Sequence, residues 1–193
     1  MVSGPRRRND SAATRQALLR AAADLFAEKG FTATTVRDVA GRAGVNQALV
    51  FRYFGSKQEL FAAVLGSDAE LAASEPVDEL PRRVLDALVG EEPDAEHHRL
   101  LAMLRSCGDA DAAQLLRTEV GERYTARLAE LSAEPDARLR ADLVLAWFLG
   151  LGLLRSVLGA ESLVRADPEV LERHVLRAVS ALLERVEPPD DET

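Results

Sequence analysis

Between Asn46 and Lys57 the chain reads NQALVFRYFGSK, and these residue types suit contact with base edges and phosphates. Placing Val50 and Phe54 inward at i and i+4 of a helix puts Ala48 and Arg52 on the opposite side, with Leu49 and Phe51 flanking them and Gln47 at the tip. A glutamine amide pairs with adenine through N6 and N7, an arginine fork pairs with guanine, and a leucine packs on a thymine methyl. Gln47, Leu49 and Arg52 are therefore the candidates for base readout, with a phosphate as the alternative partner of Arg52. No constellation suits catalysis: there is no phosphate-cradling glycine loop, no HExxH and no GxSxG, and histidine occurs only three times. His97 and His98 are adjacent, so on a helix they point about 100° apart and do not readily chelate one ion. Neither an enzyme nor a metal or other cofactor is expected.

The elements that must position these residues lie in the run TTVRDVAGRAGVNQALVFRYFGSKQEL, from Thr34 to Leu60. Two short helical patterns meet there across a glycine-containing turn, the pattern of a helix-turn-helix. Thr35 caps the first helix, and Val36, Val39, Ala40 and Ala43 share one face of it. Gly44 tolerates positive φ at the sharp turn, Val45 plugs the angle between the helices, and Asn46 caps the second helix. Taken singly, Arg37, Arg42 and Arg52 could be no more than solvated helix faces; the ordered composite is what points to DNA. Of the aromatic residues, Phe54 is expected in the core and Tyr53 at the boundary, while Phe51 suits either side.

Together with the preceding TRQALLRAAADLFAEKGF, this run resembles the DNA-binding domain of TetR-type bacterial regulators over roughly residues 14–65. The resemblance implies that Thr35, Arg37, Tyr53 and Lys57 hold phosphates. It also implies an all-α fold: an N-terminal three-helix helix-turn-helix domain, here residues 1–57, and a C-terminal helical bundle for ligand binding and dimerisation, here 58–193. Two positions depart from the family: Phe51 stands where tyrosine is usual, and so brings no hydroxyl to a phosphate, and Ala48 where glycine is common. The function implied is a ligand-responsive regulator, a repressor that binds a palindromic double-stranded operator as a homodimer and is released by a small-molecule effector. A helical protein-interaction module is the other reading; it accounts for the bundle but not for the composite from Gln47 to Lys57.

Charge follows the same division. Residues 1–57 carry ten Lys/Arg against four Asp/Glu, and residues 58–193 carry fourteen against twenty-eight, so a basic head joins an acidic body. Arg6, Arg7 and Arg8 are expected as an arm able to enter a minor groove, or as a disordered basic tail. The leading segment has no apolar run and no stretch approaches the roughly 20 residues that cross a bilayer, so no membrane association is expected. A single cysteine, Cys107, excludes an internal disulfide, and the chain reads as cytoplasmic.

Beyond Phe61, prolines separate helical segments expected near 58–73, 81–90, 95–106, 109–131, 136–158 and 168–186. The stretch Asp142 to Leu158 is apolar nearly all round, and Gly150 and Gly152 within it suggest close approach of another helix. The resemblance implies that the last two helices pair with those of a second copy, which places Gly150, Leu153, Val175, Val179 and Leu182 at a dimer interface. It also implies a small-molecule pocket inside the bundle, for which Met103, Tyr124, Trp147 and Phe148 are the candidates.

Overall fold

Leu18, Ala21, Ala22, Leu25 and Phe26 recur at i, i+3, i+4, i+7 and i+8, which gives the opening helix one apolar face. In the computed structural model, which describes residues 6–66, 76–89, 95–184 and 186, all five are buried along α1 (Arg6–Ala33). Arg6, Arg7 and Arg8 form the first turn of that helix rather than an arm, since no proline or glycine separates them from the alanine-rich segment that follows. Helical conformation breaks near the other end at Gly30, where φ is 77°. Beyond the break, Phe31 turns inward to meet Phe26 and Phe61 with ring centroids 5.9 and 5.1 Å away.

Three short helices complete the head. In α2 (Val36–Arg42) the Asp38 amide donates to Thr35 Oγ1 and the Thr35 amide donates to Asp38 Oδ2, both at 3.1 Å, closing a reciprocal cap. Gly44, at φ 67°, turns the chain into α3 (Gln47–Phe54), where the Ala48 amide donates to Asn46 Oδ1 at 2.8 Å. Ser56 caps α4 (Lys57–Leu65) by accepting the Glu59 amide. Val39, Val50, Phe54, Leu60, Phe61 and Val64 close over the buried face of α1 in one cluster. Leu60, Phe61 and Val64 of α4 are thus part of that cluster, which also takes in Ala102 and Ala112 further along the chain.

The body is built from α5 (Leu80–Val89), α6 (Ala95–Ser106), α7, α8, α9 (Glu161–Val164) and α10 (Pro168–Leu182). α7 runs as Ala110–Leu116, a π-turn Arg117–Gly121 and Glu122–Ala129; α8 runs as Ala137–Gly152 and a π-turn Leu153–Val157. No strand occurs among the described residues, and the architecture is all-α. The expected rods near 109–131 and 136–158 each carry a π-turn that apolar periodicity does not encode. α9 is too short to show a period. The helix expected over 58–73 ends at Leu65, and residues 67–75 lie outside the described ones.

A second cluster joins α5, α7, α8 and α10 through Leu85, Leu128, Val144, Phe148, Leu176 and Val179. Close approach of helices, expected at both Gly150 and Gly152, occurs at Gly152 alone. A Cβ there would stand 2.7 Å from Leu88 and 2.9 Å from Leu104, whereas nothing lies within 4 Å of one at Gly150. No helix among the described residues is long and apolar enough to cross a membrane.

Candidate nucleic-acid interface and ligand cavity

α3 turns Val50 and Phe54 into the core and leaves Gln47, Ala48 and Arg52 exposed, with Leu49 half-buried. Phe51, which suited either side, is 48% exposed and so joins the outer face. Thr35 and Arg37 are exposed at the start of α2, and the Thr35 hydroxyl oxygen accepts the Asp38 amide. The Thr35 side chain, and then the Thr35 amide that donates to Oδ2, hold the Asp38 carboxyl below its usual range. Asn46 is occupied in capping α3.

Arg52 and Tyr53 are not extended. The Arg52 guanidinium lies over the Tyr53 ring, 5.0 Å from its centroid, and donates to the Tyr53 hydroxyl at 3.2 Å; that hydroxyl donates to Ser11 Oγ at 3.1 Å. The bond to Ser11, and then that from Arg52, lowers the phenol's pKa. Arg52 must therefore leave Tyr53 to reach a base. Lys57 is more committed: its Nζ donates to the carbonyls of Phe31 at 2.8 Å and Thr34 at 3.1 Å, and stands 4.1 Å from the centre of the Phe31 ring. An ammonium has three protons, so one donor remains. Arg42 is clamped to Glu28 by two bonds of 2.7 and 2.8 Å, which fixes α2 on α1.

Inside the body lies a cavity of about 430 Å³. Met103, Tyr124 and Phe148 line it; Trp147 does not. Successive helical residues point about 100° apart, so with Phe148 buried its neighbour is turned outward, and Trp147 is 43% exposed. Gly150 and Leu153, expected at a dimer interface, line the cavity instead. Arg99, Leu100, Leu104, Arg117 and Leu145 also line it, and sequence reasoning missed them: the phase of a helix buried on several sides is not legible in its periodicity. Both π-turns border the cavity, through Arg117, Val120, Gly121 and Leu153.

α6 connects this cavity to the head. Arg99, Leu100, Met103 and Leu104 face the cavity, while the C-terminal end of the same helix is fastened to α1. The Phe31 amide donates to Ser106 Oγ at 2.9 Å, Arg105 Nη1 donates to the Glu28 carbonyl at 2.8 Å, and Thr32 Oγ1 donates to Asp109 Oδ2 at 2.7 Å. Thr32, followed by the Ala112 amide, holds the Asp109 carboxyl below its usual range. At Gly30 a Cβ would meet the Arg105 carbonyl oxygen at 2.7 Å, so the two backbones touch where a side chain would separate them.

The outer surface of the body carries an apolar stripe. Leu139, Leu143 and Trp147 follow one another at i, i+4 and i+8 on α8, and all are at least two-fifths exposed. On α10, Val170, His174, Ala178 and Ala181 are exposed at comparable spacing. Val179 is fully buried in the second cluster and has no surface to offer another chain, and Val175 and Leu182 are half-buried against that same cluster.

Residues 18–64 match the model of the tetR family of bacterial regulatory proteins, and residues 78–183 match that of the tetracyclin repressor-like C-terminal domain. The chain is 36% identical over 177 residues to the HTH-type transcriptional repressor Rv3405c of Mycobacterium tuberculosis, spanning 87% of this chain and 88% of that one. It is 28% identical over 151 residues to the HTH-type transcriptional repressor BepR of Brucella suis, spanning 76% and 68%. Its fold is similar to that of NalD, the secondary repressor of the MexAB-OprM multidrug efflux pump in Pseudomonas aeruginosa. The TM-score is 0.66 at 23% identity, over 90% of this chain and 97% of that one.

Proposed function

The chain belongs to the tetR family of bacterial regulatory proteins, and on that premise we propose that it is a cytoplasmic, non-enzymatic repressor whose grip on an operator is released by a small molecule in the body cavity. One observation supports this reading: α6 lines the cavity with one face and is bonded at its end to α1, the helix that packs on α2 and α4, between which α3 is held. A ligand that shifts α6 alters the footing of α3.

On DNA, α3 lies in a major groove with Gln47, Ala48 and Leu49 toward the bases and Arg52 swung off Tyr53 onto a guanine or phosphate. Thr35, Arg37, Tyr53 and the third Lys57 proton hold the backbone. The operator is palindromic because two copies bind it. They meet through the outer stripe of α8, centred on Leu143 and Trp147, and the exposed face of α10 at Val170, His174 and Ala178. Their two α3 helices address half-sites one helical turn, ~34 Å, or a multiple of it apart.

The test is binding to the duplex upstream of the protein's own gene, measured by fluorescence anisotropy over a range of salt. Affinity that falls steeply and linearly with the logarithm of salt, with far weaker binding to scrambled sequence, is expected. Binding that ignores salt, or no preference over scrambled duplex, overturns the proposal.

A further inference from the structure

We propose that Phe51 is a specificity-determining residue of α3, its ring packing on the C5 methyl of one thymine in each operator half-site. The proposal rests on the reading of α3 as the helix that enters the major groove. Among the described residues of the head, Phe51 is the one large apolar side chain left exposed, at 48%, while Phe26, Phe31, Phe54 and Phe61 are buried. It takes no part in the apolar cluster of the head, and no other ring or cation among the described residues stacks on it. A single exposed apolar residue is ordinary on a protein surface; what distinguishes this one is its position.

Gln47, Ala48, Phe51 and Arg52 are exposed at i, i+1, i+4 and i+5, so they form one contiguous patch on α3, turned away from the buried Val50 and Phe54. Gln47 and Arg52 carry the hydrogen-bonding groups of that patch, and Phe51 supplies apolar surface between them. A benzyl side chain has no donor and no acceptor, so it satisfies neither a phosphate oxygen nor a polar base edge. Against cytosine it would cover the N4 amino group, and against a purine the N7 acceptor, leaving each without a partner. Thymine alone offers an apolar group in the major groove, the C5 methyl. Phe51 lies one turn along from Gln47, about 6 Å by helical rise, and base pairs rise about 3.4 Å. The thymine that Phe51 covers therefore falls within about two base pairs of the adenine that Gln47 pairs with.

The experiment uses the full-length protein and an operator that it selects from a randomised duplex pool. Deoxyuridine replaces each thymine in turn, which removes the C5 methyl and keeps every hydrogen-bonding group. At one thymine per half-site this should lower affinity about fourfold, as expected for one buried methyl, and about fifteenfold when both half-sites carry it. Phe51 is exposed and outside the core, so its substitution leaves the fold intact. Phe51→Ala should bind the thymine and uracil duplexes equally at that position. Phe51→Leu, which keeps an apolar side chain, should retain most of the difference, and Leu49→Ala should leave it unchanged. If no thymine methyl matters, or if every methyl effect survives Phe51→Ala, the proposal is overturned and operator binding stands. Phe51→Ala that weakens both duplexes equally overturns it too, since the ring would then be holding the backbone. If the pool yields no preferred sequence, the reading of α3 as a base-reading helix falls, and the proposal with it.

Discussion

At the scale of single residues, position on the head separates those that read sequence from those that hold the duplex. Gln47 is exposed at the tip of α3 and has no part in capping it, because Asn46 does that. Gln47→Ala should therefore relax base preference at one position per half-site by about 1–3 kcal/mol with the fold intact. A binding-site logo unchanged by that substitution would remove Gln47 from the readout. Lys57 should behave differently, because two of its protons already hold the Phe31 and Thr34 carbonyls. Lys57→Ala should weaken binding to all sequences alike, lower the salt slope by roughly one phosphate, and destabilise the free protein by about 1–2 kcal/mol. Loss of affinity with an unchanged melting temperature would show the two carbonyl bonds to be energetically idle.

At the scale of elements, the junction of α1 and α6 decides whether events in the cavity reach the head. Gly30 combines φ 77° and ψ 175°, a region open almost only to glycine, with a close approach to the Arg105 carbonyl. Gly30→Ala meets both obstacles, so it should cost about 1–3 kcal/mol from backbone strain and more from the forced separation of the helices. Calorimetry should show the lower melting temperature, and operator affinity should fall in step. A variant that melts like the parent would mean that the junction yields freely. The same junction carries a pH dependence. The Asp109 carboxyl is depressed by the Thr32 hydroxyl, so its contribution is present above the ordinary aspartate value and is lost as pH falls through the lower folded value. Acidification below about pH 4 should therefore loosen the junction. Comparing the acid limbs of melting temperature against pH for the parent and Asp109→Asn isolates this group from Asp38, which is depressed in the same direction; identical limbs would assign no role to Asp109.

At the scale of the whole molecule, two apolar residues that a sequence pattern treats alike have opposite consequences. Trp147 is 43% exposed on the outer stripe, and Val179 is fully buried. In the proposed dimer, Trp147→Glu places a charge against its two-fold copy and should weaken association by about 2 kcal/mol or more, roughly thirtyfold, with each subunit still folded. Val179→Glu buries an unpaired carboxylate inside one subunit and should unfold the body before it affects assembly. Sedimentation with circular dichroism distinguishes them. A dimer that tolerates glutamate at both Leu143 and Trp147 must be held by another surface. Operator affinity should follow the dimer, since the second head binds almost intramolecularly once the first is in place.

The sequence alone determined those features that depend on neighbours within one turn of helix. The caps at Thr35 and Asn46, the positive φ of Gly44, the buried pair Val50 and Phe54, and the all-α body all follow from such local rules. Tertiary structure alone decided which side of a helix each apolar residue faces once a helix is apolar nearly all round. From Asp142 to Leu158 the periodicity has no phase, so Phe148 and Trp147 exchange neither chemistry nor pattern yet occupy the cavity wall and the outer stripe. It likewise decided the partners of Lys57, whose carbonyls lie 26 and 23 residues back along the chain, and the cavity face of Arg99. Those depend on how α1, α4 and α6 cross, and a crossing is set by packing between surfaces that no local spacing records.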